Sequence, residues 1–220
     1  MTKHFQTEIE KLKRRVLSIG AIIEEAIAKA ISSLINRNVE IAKKVIQDDS
    51  LVDKMEVEVE EECLKILALY QPVAGDLRFI IAVLKMNNDL ERMGDLAANI
   101  AKRAIKISKS GQVTLPKDLP IMTAKVQNMV KHSIDSLVNR DANMAREVCA
   151  SDDEVDDFRR TLRKQIKEEI KKHPENVEEL TELSSVFRHL ERLGDMATNV
   201  AEDVIYMVEG EIIRHKGEMS

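Results

Sequence analysis

The chain has 220 residues, of which 44% are hydrophobic and 33% charged, and a formal net charge of −5. Seven glycines and four prolines cannot supply the turns of a β-sandwich or barrel. The acidic balance excludes a broad nucleic-acid surface, which needs a basic excess.

What remains is rich in Ala, Leu, Ile, Glu, Lys and Met, the residues that helices favour. From the N-terminus, residues 5–36 predict one long helix, with Leu12, Val16, Ile19, Ile23, Ile27, Ala30 and Leu34 spaced three or four apart. Lys11, Lys13, Arg14 and Arg15 read as its solvated face. Asn36-Arg37-Asn38 ends it, and Asn38 is a good N-cap for a short helix over 39–47. A further helix is predicted over 50–70, a turn at Pro72 and Gly75, and a long helix over 76–108. The segment SGQVTLPKDLP (110–120) reads as a linker. The plan then repeats, with helices over 121–139, 142–149, 153–172 and 176–209, and Asn139-Arg140-Asp141 as the matching break.

The repeat is also visible in the letters. ERMGDLAANIA (91–101) and ERLGDMATNVA (191–201) share seven of eleven residues. LINRNVEIA (34–42) matches LVNRDANMA (137–145) at a shift of 103, which falls to 100 after the proline-containing turn. Three long helices are the minimum that enclose a core. The expected fold is therefore all-α, two tandem three-helix bundles over 1–109 and 121–220 joined by linker 110–120.

The residues fit no catalytic pattern. GxxxxGK[ST], GxGxxG and GxSxG are absent. Cys63 and Cys149 form no CxxC pair or disulfide framework. The ten methionines read as core filler. The first residues lack the apolar core of a signal peptide, and no stretch reaches the roughly 18 apolar residues of a membrane span. The expectation is a cytoplasmic, reduced protein without membrane insertion.

Acidic pairs are the chemistry that stands out. Glu91 and Asp95 share a helix face, as do Glu191 and Asp195, with Gly94 and Gly194 between them. Like charges at i,i+4 cost a few tenths of a kcal/mol, and an interior glycine costs about 1 kcal/mol. Both penalties are accepted twice, which points to close helix approach and a shared hard cation. Asp49 and Asp53 precede the first pair, and Asp152 and Asp156 the second. Asp153 and Asp157 overlap the latter, and Asn99 and Asn199 could add an amide oxygen. The candidate metal sites are thus Asp49, Asp53, Glu91 and Asp95, and Asp152, Asp156, Glu191 and Asp195. An all-oxygen set suits Mg, Mn, Ca or ferric iron, and zinc less well. Two plainer readings stay open: the aspartates as caps at helix starts, and the Glu/Asp pairs as salt bridges with Arg92, Arg192 or a neighbouring helix. His189, whose counterpart is Asp89, reads as an ordinary polar helix residue.

The tandem layout, ERMGD and ERLGD in matching late helices, DSLVD (49–53) and DDEVD (152–156) before them, and QPVAGDLR (71–78) together resemble the PhoU family. The resemblance covers about 5–208; Asp76-Leu77-Arg78 has no second copy, Asn176-Val177-Glu178 standing in its place. The resemblance implies a cytoplasmic, non-enzymatic regulator of phosphate uptake and homeostasis, and a negative regulator of the phosphate-starvation response. It also implies iron or zinc on the acidic motifs, a homodimer, and an adaptor role. The partners would be the cytosolic components of a phosphate ABC transporter and a membrane sensor histidine kinase. The alternatives from the residues are a carboxylate-bridged metal enzyme and a plain helical scaffold.

Overall fold

The computed structural model describes residues 3–109 and 113–210. Among them are seven α-helices and no strand: α1 (Lys3–Ile35), α2 (Val39–Tyr70), α3 (Ala74–Ser108), α4 (Leu119–Asn139), α5 (Ala142–Ala150), α6 (Asp152–Lys172) and α7 (Val177–Glu209), with a 3₁₀ turn at Pro174–Asn176. Helices α1, α2 and α3 form one bundle, and α4, α5, α6 and α7 the other. The seven apolar residues expected on one face of α1 are all buried, joined by Phe5 and Ile9. The basic stretch of α1 is largely neutralised, Lys11 by Glu8, Lys13 by Glu10 and Arg15 by Glu58.

The repeat extends to backbone detail. Arg37 and Arg140, equivalent by the shift of 103, both adopt the left-handed region, at φ 52° and 55°. The next residue caps the following helix in each half: the Asn38 side chain accepts from the amides of Glu40 and Ile41, and Asp141 from those of Asn143 and Met144.

The structure departs from expectation in one element. The predicted break near residue 48 does not occur, and α2 runs unbroken to Tyr70. Val45, Val52, Val59 and Ile66 are all buried at intervals of seven, so packing carries the helix through Asp48-Asp49-Ser50. In the second half the interruption is real: the Ser151 amide donates to Val148 O, and its hydroxyl bonds back to Glu147 O. Residues 110–112 of the expected linker lie outside the described residues. Its remainder starts at buried Val113, whose carbonyl accepts from Arg37 at 2.8 Å, and Pro120 falls in the first turn of α4.

The two bundles share a continuous apolar core along a seam where α3 meets α7 and α1 meets α4. At Gly20 of α1 a Cβ would stand 2.8 Å from Ile134 Cδ1 of α4, so this glycine sets how closely the helices approach. Helices α3 and α7 run antiparallel. The end of α3 pairs with the start of α7 through Arg103 (2.5 Å) and Lys106 (2.7 Å) to Glu182. The start of α3 meets the end of α7, with Lys85 3.4 Å from Asp203 and Arg78 Nε donating to Met207 O at 2.9 Å. Asp76 pairs with Arg140 at 3.2 Å, and that guanidinium lies 4.9 Å from the centroid of the buried Phe79 ring. The Asp76-Leu77-Arg78 segment, present only in the first half, thus ties that bundle to the second.

Candidate metal centres

In each half the expected acidic residues lie along a furrow between two antiparallel helices. In the first, Gly94 of α3 faces α2. A Cβ there would stand 3.1 Å from Val52 Cγ1 and 3.3 Å from Asp49 Oδ1. The missing side chain lets α2 approach, so the half-buried Asp49 carboxylate lies over the glycine. Glu91 is also half-buried, while Asp53 and Asp95 stand at the exposed rim. Burial, then the charges of Asp95 and Asp53, push the Asp49 carboxyl above its ordinary range against the pull of Lys102. Burial, followed by Asp95, Asp53, Glu56 and Asp49, raises Glu91. The four expected residues of this half therefore share one field.

The second furrow repeats the layout. A Cβ at Gly194 would stand 3.4 Å from Val155 Cγ1 and 3.9 Å from Asp152 Oδ1. Burial, then Asp152 and Asp156, raises Asp195. Burial also raises Glu191, against the opposing pull of Arg159 and with Asp195, Asp156 and Asp152 adding to the rise. For Asp152 burial outweighs the hydrogen bond from Thr198 Oγ1, at 3.1 Å to Oδ1.

Capping does not account for the aspartates. Asp49 lies in the middle of α2, and Asp152, the first residue of α6, uses its Oδ1 across the furrow on Thr198. A salt bridge does account for one carboxylate, Glu191, which Arg159 of α6 meets at 2.6 Å. The shift of 103 sets Glu56 in the place of Arg159. Burial, Glu60 and Asp53 raise its carboxyl, which accepts from Asn87 Nδ2 at 3.1 Å. The first furrow therefore gathers five carboxylates, whereas the second carries a guanidinium among four. Sequence reasoning passed over Glu56, Arg159, Thr198 and Lys102. Aligning the two repeats would have found the Glu56/Arg159 reversal.

The remaining candidates fall differently. Asn99 Oδ1 accepts from Lys102 Nζ at 3.4 Å, Asn199 is exposed, and Asp157 pairs with Arg160. His189 is not an ordinary surface residue. It is 6% exposed, and neither ring nitrogen has a hydrogen-bond partner among the described residues. Burial raises the Cys63 thiol to about 12 and the Cys149 thiol to about 11, so neither is a thiolate near neutral pH.

Oxygen-only donors with carboxyls held above their ordinary range are the chemistry of a hard cation whose charge would relieve the repulsion. Among the described residues no three His, Cys, Asp or Glu side chains already stand close enough to hold an ion. The rim side chains would have to swing inward onto one. The first furrow fits a cation better, because in the second Arg159 already holds Glu191.

Comparison with known proteins agrees with the duplicated fold. The PhoU domain family matches twice, over residues 16–104 and 119–204. A phosphate-specific transport system accessory protein PhoU homolog from Aquifex aeolicus is 40% identical over 209 residues, 95% of each chain. The homolog of the same description from Pseudomonas aeruginosa is 34% identical over 99% of this chain and 90% of its own. The crystal structure of PhoU from Pseudomonas aeruginosa aligns at a TM-score of 0.90 with 34% identity, covering 94% of this chain and all of the other. That of the phosphate transport system regulatory protein PhoU from Streptococcus pneumoniae aligns at 0.88 with 29% identity, covering 95% and 99%. With two domain matches, full-length relatives and the same tandem bundles, this chain belongs to the PhoU family.

Proposed function

We propose that this chain is an accessory protein of a phosphate-specific transport system that restrains phosphate uptake and the phosphate-starvation response when phosphate is plentiful. The observation that carries the reading is the match, along nearly the whole chain, to relatives described as accessory proteins of that system. Its mechanism is binding. From the cytoplasm, as an adaptor and a homodimer, it would contact the cytosolic components of the phosphate ABC transporter and a membrane sensor histidine kinase. Two related but unequal bundles suit two different partners. No helix among the described residues is long and apolar enough to cross a membrane. Deleting the gene tests the reading: phosphate-starvation genes are expected to stay on in rich phosphate. Normal repression in the deletion strain would reject it, as would robust turnover by the purified protein.

The acidic furrows are the proposed metal centres of the adaptor: Asp49, Asp53, Glu91 and Asp95 with Glu56 beside them, and Asp152, Asp156, Glu191 and Asp195. Mg, Mn, Ca or iron would suit these oxygens, with zinc the poorer match. A bound cation would supply charge that lets two helices, or a partner's acidic group, share one face. Replacing Glu91 and Asp95 together by Ala is expected to lower metal content, read by elemental analysis, by about half or more, since the second set is separate. The metal-free fold should hold, because removing like charges at i,i+4 is worth only a few tenths of a kcal/mol in its favour. Unchanged metal content in the double variant would remove the first furrow from the assignment.

A further inference from the structure

The second bundle carries a basic surface that the first does not repeat, Glu56, Glu60, Leu64 and Asn88 standing at the matching places. Between α6 and α7 lies an open groove of about 380 Å³ whose charged lining is Arg159, Arg163, Lys167 and Arg188, without one acidic residue. This is unexpected on a chain of net charge −5. Most arginines and lysines described above are in ion pairs. Arg163, Lys167 and Arg188 are exposed and form neither an ion pair nor a hydrogen bond among the described residues.

The repeat shows how the chemistry of the groove arises. In the first half the matching positions are Glu56, Glu60, Leu64, Ile81, Leu84 and Asn88, and Glu60, Leu64, Ile81 and Asn88 are exposed, so the same face is open in both halves. What differs between the halves is the chemistry of that face. Where the first half has Leu64, Ile81 and Leu84, the second has Lys167, Thr181 and Ser184; Glu56 and Glu60 have become Arg159 and Arg163. An amphipathic helix docking there would need the apolar anchors that these replacements removed. The change is toward guanidinium, ammonium and hydroxyl groups, which hold phosphate oxygens.

From this juxtaposition of three arginines, a lysine and Ser184 along one open helix pair, we propose that the α6/α7 groove binds a soluble small anion carrying a chain of two or three phosphates. Arg159, Arg163 and Lys167 follow one another at single-turn spacing along about 12 Å of α6. Arg188 and the Ser184 hydroxyl oppose them from α7. A row of that length outreaches one phosphate group and suits several in line. Ile166 and Ile170 in the lining can take an organic substituent. The inference stands apart from the transport reading; because Arg159 also meets Glu191 of the second furrow at 2.6 Å, Arg163, Lys167 and Arg188 are the groove's main cations.

The test is calorimetric titration of the full chain at physiological ionic strength, with a chelator present. Inorganic triphosphate, ATP and orthophosphate form separate arms. Triphosphate should bind at one site per chain. Arg163→Gln, Lys167→Gln and Arg188→Gln together should weaken binding by more than about tenfold, and Arg188→Gln alone by less. These side chains are exposed, so an unchanged circular dichroism spectrum is expected. Lys54→Gln, Lys109→Gln and Lys117→Gln together remove the same charge from elsewhere and should change affinity by no more than about twofold. Equal affinity for triphosphate and ATP supports recognition of the phosphate chain alone; tighter ATP adds the aliphatic wall as a second contact. The proposal is overturned by no binding of triphosphate, by orthophosphate binding as tightly, by an equal loss in the control variant, or by binding that disappears with the chelator.

Discussion

Replacing Phe79 by alanine is expected to lower the unfolding free energy by about 3–5 kcal/mol. The ring is fully buried near the start of α3, where the first bundle meets the second. Truncation removes its transfer free energy and leaves a hole that long helices, held at both ends, cannot readily close. The Arg140 guanidinium also loses the ring it covers at 4.9 Å, an interaction of roughly 0.5–2 kcal/mol that overlaps with the packing loss. Arg140 keeps Asp76 at 3.2 Å, so no charge is stranded. Urea denaturation of the two proteins checks the value. The transition should remain single in both, because the apolar core is continuous across the halves. A loss below about 1 kcal/mol would mean that the ring is not core.

The second large effect concerns pH and His189. Burial, together with Arg188, Arg103 and Arg192, lowers its folded value from 6.5 to about 4. The unfolded chain takes up this proton as pH falls below 6.5, while the folded chain resists until about 4. Stability contributed by the neutral imidazole is therefore complete above pH 6.5 and is lost progressively toward pH 4. The loss by pH 4.5 is ~2–3 kcal/mol. His189→Leu should abolish that slope. At pH 7 it should be neutral or stabilising, because both ring nitrogens are buried without partners. The furrow carboxyls work in the opposite direction: raised in the fold, they favour it as pH falls. Only the difference between wild type and His189→Leu isolates the histidine. Equal dependence on pH in the two would place the ring in contact with water.

The helices were legible because their information is local. Apolar spacing of three and four defined α1, and the paired Asn38 and Asp141 marked two equivalent helix starts. The missed continuity of α2 was in principle readable. Asp48-Asp49-Ser50 looks like a helix start, yet the sevenfold spacing of Val45, Val52, Val59 and Ile66 passes straight through it, and burial outweighs weak local preference. The acidic furrows were found because duplication displays the same pattern twice. Their unequal character was not, since it depends on what the facing helix carries at Glu56 and Arg159. The seam was beyond reach. Arg78 meets Met207, and His189 lies near Arg103, across stretches of chain that no periodicity spans.

The antiparallel meeting of α3 and α7 has a consequence for how such a chain can diversify. Two separate identical subunits associating this way would carry every substitution in duplicate, so a change from Glu56 to the arginine found at 159 would reverse the charge of both furrows together. With the halves joined in one polypeptide, each position changes alone. One furrow can stay wholly acidic while its twin acquires a guanidinium. The tether also keeps the halves at high effective concentration, so their contact need not be as greasy as that of a free obligate dimer. The charged Arg103–Glu182 and Arg140–Asp76 pairs along it are what such a relaxed requirement permits. The polypeptide is in effect a dimer freed from symmetry.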